Sequence, residues 1–177
     1  MDRRQLIAAG AGAAGLVLAG HASARAAIGK PAPKFTLTTF DRRKIGLADL
    51  QGKVIVLNYW AVWCGPCKAE LPMIDAYVRK SGGDDLKVFA VTVDDTVADS
   101  ALKPLASVLS FPLIARLDSL SYGTIGGAVP TNYVIGRDGT LRYARAAAFT
   151  FDSFGAVVGP LLAEAAPAAL PGMTAQD

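Results

Sequence analysis

The stretch Trp60-Ala61-Val62-Trp63-Cys64-Gly65-Pro66-Cys67-Lys68-Ala69-Glu70-Leu71-Pro72 holds both cysteines of the 177-residue chain. A helix starting at about Cys64 puts two side chains three positions apart on one face, with Cα atoms about 5 Å apart, inside the disulfide range. Such a pair can open and close without backbone movement. Cys64 would stand at the helix N-terminus, where unpaired N–H groups and the positive end of the dipole favour a thiolate, and Lys68 lies one turn on. Cys64 is therefore the candidate attacking sulfur, and Cys67, inside the helix, the less exposed resolving partner. Pro66 lacks an N–H where the first turn leaves one unpaired, so it starts the helix without penalty.

Two plainer readings compete. Half a zinc site would need a second Cys-x-x-Cys or paired histidines downstream, and the only histidine is His21, in the N-terminal leader. An inert disulfide closing so short a loop restrains the unfolded chain little. The apolar run 54–59 before the cysteines and the helix after them give a strand-turn-helix context, which favours redox chemistry.

With these residues in view, the stretch resembles the active site of the thioredoxin superfamily, in its exported TlpA/ResA-like redoxin branch. Trp63-Cys64-Gly65-Pro66-Cys67 follows an apolar strand, Pro72 interrupts the helix five residues after Cys67, and Ala128-Val129-Pro130-Thr131 occupies the place of the cis-proline loop. The resemblance covers about residues 30–165. It implies a thioredoxin-like three-layer α/β fold: a mixed central sheet with flanking helices, an N-terminal β-hairpin and a central βα insertion. It implies catalytic roles for Cys64 and Cys67, and contact with substrate by Trp63, Gly65, Pro66, Val129 and Pro130. On base rates Pro130 would be trans, since only about 5–6% of X-Pro bonds are cis; the resemblance reverses that and gives Val129 backbone groups to pair with an extended substrate.

Glu70, three residues after Cys67, would ordinarily be read as a solvated surface carboxylate. The Cys-x-x-Glu-Leu-Pro arrangement resembles the branch's pattern, in which this carboxylate modulates cysteine ionisation; a nearby negative charge raises a thiol pKa. Asn58 departs from ordinary thioredoxin, whose buried aspartate at this place handles the resolving cysteine's proton. Asn cannot titrate, so Glu70 becomes the candidate for that task. Trp60 reads equally well as core packing or as part of the site, and Lys68 as a solvated helix residue.

Outward from the motif, residues 1–26 have arginines at 3 and 4, an Ala/Gly/Leu/Val run and small residues at 22–24 and 26, the form of a cleavable signal peptide. Arg3-Arg4-Gln5-Leu6-Ile7 also resembles a twin-arginine pattern. The run is too short for a comfortable membrane span, which needs about 20 residues, so we expect a periplasmic product rather than an anchored one. Removing residues 1–26 takes away Arg3, Arg4, Arg25 and Asp2, which turns 18 basic and 15 acidic residues into 15 and 14. That balance gives no case for nucleic acid.

The composition, 52% hydrophobic and 19% charged, suits one thioredoxin-like domain over residues 27–166, with a loose Ala/Pro-rich tail at 167–177. Within it we expect an extended lead-in over 28–33, a strand around Phe35 and Leu37 turning at 41–44 toward Ile45, and one helical turn at 47–50. Continuous apolar strands should follow at 54–59 and 86–93, the form of strands covered on both faces. The active-site helix should reach about 80. Asp94-Asp95-Thr96 reads as the entry to a helix running to about 109, which Pro104 starts or kinks. A short strand at 113–116, a turn of helix at 118–122, a hairpin of 131–135 and 141–146 through Asp138-Gly139, and a last helix at 152–165 complete the expectation.

Two dithiol chemistries fit this sequence. The leading one is a periplasmic thiol-disulfide oxidoreductase without a cofactor beyond its own disulfide, reducing protein disulfides in cytochrome c maturation or copper-centre assembly. It would be a monomer, recharged by a membrane thiol-electron donor, as the resemblance implies. The alternative is a Cu(I) chaperone using both thiolates, since soft sulfur suits that ion. A peroxidase reading is weaker, because the site is built around a pair rather than a single thiol.

Overall fold

A computed structural model describes residues 25–94 and 96–167. The proposed leader and tail lie almost wholly outside these residues.

The run Val54–Trp60 forms strand β3, and all seven of its residues are buried. The cause is its central place in a seven-stranded sheet of order β2-β1-β5-β4-β3-β6-β7. The other strands are β1 (Thr36–Thr39), β2 (Lys44–Gly46), β4 (Leu86–Thr92), β5 (Leu113–Asp118), β6 (Thr131–Ile135) and β7 (Leu141–Arg145). β3 runs parallel to β4 and antiparallel to β6, with Val54 opposite Leu86 and Asn58 opposite Asn132. The helices are α1 (Gly65–Tyr77), α2 (Asp99–Val108) and α3 (Phe151–Ala163).

Alternation along β3 splits the core in two. Val54, Val56 and Trp60 pack with Leu71, Ile74 and Tyr77 of α1, Leu102 of α2, and Phe154, Val158 and Leu161 of α3. Ile55, Leu57 and Tyr59 face the other way, against Phe35, Leu50, Tyr122 and Tyr133. The crossovers β3-α1-β4 and β4-α2-β5 step in one direction across the sheet, so connections of the same hand place both helices on one side. The layer over the opposite face is built from the lead-in, the 3-10 turn Leu47–Leu50 and the segment around Tyr122, with no long helix among the described residues.

The insertion between β4 and the proline loop supplies α2 and β5. β5 pairs parallel with β4 and antiparallel with β1, so it is the strand through which the hairpin β1-β2 joins the sheet.

Three local expectations change. The helix expected from Asp94 begins at Asp99, because the Asp94 carboxylate accepts hydrogen bonds from the amide and hydroxyl of Thr96 and closes a turn there. The helical turn expected at 118–122 is absent. β5 extends to Asp118 to pair with Thr36, and the Ser119 hydroxyl then accepts from the Ser121 amide in a bend. Pro72 lies inside α1 without ending it; the helix continues into a π-helical turn, Val78–Gly82, and stops at Gly83, whose φ is +49°.

Candidate active site

β3 delivers the chain at its carboxyl end, the edge where open α/β sheets usually carry their sites. Cys64 is the N-cap of α1, in extended backbone, and its Sγ accepts a hydrogen bond from the Cys67 amide at 3.1 Å. An N-cap side chain relieves one of the first-turn N–H groups, here with sulfur in the place usually taken by oxygen. Pro66 in the first turn leaves no donor wanting. Cys64 and Cys67 are joined as a disulfide with Cα atoms 5.3 Å apart. Cys67 is fully buried and Cys64 nearly so, with 4% of its surface exposed.

The proline loop comes to the same place. The Val129-Pro130 peptide bond is cis, and the Cys64 sulfur lies 3.7 Å from the Val129 carbonyl oxygen. Thr131 fixes the loop: its hydroxyl donates to the Ala128 carbonyl at 2.7 Å and accepts from the Ile125 amide at 3.1 Å. Gly126 and Gly127, both at positive φ, make the tight turn between. Trp63 stands out from the surface with 68% of its area exposed. Gly65 and Pro66 are exposed beside it, and nothing lies within 4 Å of where a Gly65 side chain would begin. Val129 is half-buried and Pro130 buried. The structure thus brings together Trp63, Cys64, Gly65, Pro66, Cys67, Val129 and Pro130. Trp60 belongs to the core, and Lys68 is exposed.

Glu70 is where the surface reading ends. It is only 2% exposed, on the stripe of α1 that also carries Cys67, Leu71, Ile74 and Tyr77. Its carboxylate accepts from the side-chain amide of Asn58 at 2.9 Å, from that of Asn132 at 2.8 Å, and from the backbone amide of Phe149 at 2.7 Å. Burial raises the Glu70 carboxyl above its ordinary range, and the donors from Phe149, Asn58 and Asn132 oppose that rise. Three hydrogen bonds to a charged group, at roughly 1.5–3 kcal/mol each, match in order of magnitude the several kcal/mol that burying one ion costs. The Tyr143 phenol on β7 is raised first by burial and in part by the charge on Glu70, while Arg145 lowers it.

Asn132 and the Phe149 amide were not singled out by the sequence. A signal existed: Asn58 and Asn132 are the polar side chains on the helix-facing side of two fully buried strands, and β3 pairs them directly. Buried amides need partners, and the stripe spacing of α1 points Glu70 at them. Among the described residues no group of three or more His, Cys, Asp or Glu side chains is placed to share a metal ion.

Residues 28–144 match the AhpC/TSA family. Thiol-disulfide oxidoreductase ResA of Bacillus thuringiensis (strain Al Hakam) is 36% identical over 115 residues, 63% of this chain and 65% of that protein. ResA of Oceanobacillus iheyensis is 30% identical over 131 residues, 71% of this chain and 68% of that protein. A crystal structure described as a thiol:disulfide interchange protein DsbE, from Chlorobium tepidum, superposes with a TM-score of 0.65 at 26% identity, over 77% of this chain and 99% of the other. The match spans 65% of the length of the Bacillus relative.

Proposed function

Because the chain belongs to the AhpC/TSA family, within which its site is a bonded cysteine pair rather than a lone thiol, we propose that it is a thiol-disulfide oxidoreductase that reduces protein disulfides. In the reduced protein, the Cys64 thiolate attacks one sulfur of a target disulfide. The other target sulfur leaves as a thiolate and takes a proton. Cys67, deprotonated in turn, attacks the Cys64 sulfur of the mixed disulfide and releases the second target thiol. Two electrons pass to the target, and the Cys64-Cys67 disulfide remains.

The observation that carries this reading is the cysteine pair capping α1 with its outer sulfur 3.7 Å from the Val129 carbonyl. The exposed edges of Trp63, Gly65 and Pro66 leave the approach to Cys64 open, and the backbone of Val129 offers an extended peptide β-type hydrogen bonds. Residues 1–26 act as an export leader, and residues 27–166 work in the periplasm as a monomer. There a membrane thiol-electron donor returns the pair to the dithiol. The targets are cysteine pairs of proteins awaiting haem or copper.

A Cys67→Ser variant should accumulate mixed disulfides with its targets in the periplasm, resolved by added dithiothreitol. Cys64→Ser should accumulate none. Equal trapping by both variants, or by neither, would remove the assigned order of attack.

A further inference from the structure

We propose that Asn132 and Asn58 are positioning residues that keep Glu70 in its carboxylate form on the buried stripe of α1 that carries Cys67, through a chain of amide orientations anchored on the Ala147 backbone carbonyl. The proposal rests on the dithiol reading above, since the thiols are what the charge acts on.

The chain starts at a group whose direction the backbone fixes. The Asn132 Nδ2 donates to the Ala147 carbonyl at 3.1 Å and to Glu70 Oε1 at 2.8 Å. That leaves the Asn132 Oδ1 facing Asn58. The Asn58 Nδ2 must therefore turn toward it, donating at 2.8 Å, and its second hydrogen reaches Glu70 Oε2 at 2.9 Å. The Phe149 amide completes the ring of donors at 2.7 Å. Every hydrogen bond to the carboxyl among the described residues comes from an N–H; the Tyr143 phenol, which feels the charge on Glu70, makes none to it, and a carboxylate has acceptors only. A proton on Glu70 would need an acceptor that this arrangement withholds.

Asn58 shows that the orientation is imposed. Its Oδ1 is buried without a partner, so the amide forgoes an acceptor contact while Nδ2 keeps both of its donor contacts. Turned through 180°, Asn58 would aim that oxygen at Glu70 and accept from a protonated carboxyl. It would also set Oδ1 against the Asn132 Oδ1, and the bond to Ala147 holds Asn132 in place. Asn132 thus forbids the one rotation that would let Glu70 become neutral.

The charge held there disfavours a second negative charge nearby, so it raises the pKa of the cysteines on the same helix. If Asn132 becomes Ser, Asn58 is free to turn, Glu70 can take a proton, and the thiol pKa falls toward the value in Glu70→Gln. Both variants act through the same charge, so their effects on the thiol do not add.

The test is the pH profile of thiol alkylation in the reduced protein. Asn132→Ser and Asn58→Ser should each lower the apparent Cys64 pKa by at least half the shift given by Glu70→Gln. In the Glu70→Gln background, Asn132→Ser should shift it no further. A merely structural role would lower stability and leave the thiol where it was. Should either asparagine variant not fold, infrared difference spectra of the intact wild type against Glu70→Gln give a second readout: a carboxylate band at neutral pH is expected, and a protonated carboxyl band overturns the proposal. The proposal also fails if Glu70→Gln moves the thiol and the asparagine variants do not. If the wild-type thiols react with no disulfide at all, it is the dithiol reading that fails.

Discussion

Glu70 is polar, yet it sits in a core stripe because the three-residue step from Cys67 leaves it no route to the surface. The cysteines were legible because their chemistry is written in residue type and spacing. The amide cage was not, because it depends on β3 lying beside β6, a pairing 74 residues apart in sequence. Tyr59 makes the complementary case on the other face. Its hydroxyl is buried without a partner, and burial raises its phenol pKa, helped by the neighbouring phenols of Tyr133 and Tyr122. The folded value lies above the unfolded one, so this group's contribution is complete below about pH 10 and is lost as pH rises through the folded value. Tyr59→Phe should be neutral or up to about 2 kcal/mol stabilising at pH 7, since it deletes an unsatisfied group. In urea unfolding at pH 11 it should lose less stability than wild type does. Parallel losses in the two proteins would show that Tyr59 does not carry the alkaline sensitivity.

Elements whose local and tertiary preferences agree were readable in advance. Continuous apolar runs gave β3 and β4, and Asp138-Gly139 gave the β6-β7 hairpin, with Gly139 at φ +75°. The start of α2 and the end of β5 were not, because an Asx turn decided one and a partner strand the other. The packing of α1 on α3 turns on a further detail of this kind. Gly155 lies inside α3, where alanine would ordinarily gain about 1 kcal/mol. A Cβ there would stand 3.2 Å from a Tyr77 ring carbon. That ring is held against Phe151 and Phe154, at centroid distances of 5.4 and 5.0 Å, and has little room to retreat. Overpacking of roughly 1–3 kcal/mol should exceed the propensity gain, so Gly155→Ala should destabilise by about 1 kcal/mol. Urea denaturation checks the sign, and an increase in stability would mean that the helices move apart freely.

At the scale of the whole molecule, the sheet, the helix that Cys64 caps and the proline loop hold one dithiol, and the groups around it bias the direction in which its electrons flow. Oxidants of this kind hold their reduced state by stabilising a thiolate. Here Gly65 and Pro66 bring no cation between the cysteines, and Glu70 lies buried one turn beyond Cys67. Both features leave the thiolate less stabilised and make the pair easier to oxidise, which suits a donor. Thioredoxin lies near about −270 mV and DsbA near about −120 mV, a gap of roughly 7 kcal/mol for two electrons. The direct measurement is equilibration of the purified protein with glutathione redox buffers, reading the fraction of Cys64-Cys67 disulfide. A potential close to the thioredoxin value is expected, and a potential close to that of DsbA would contradict the assignment as a reductase.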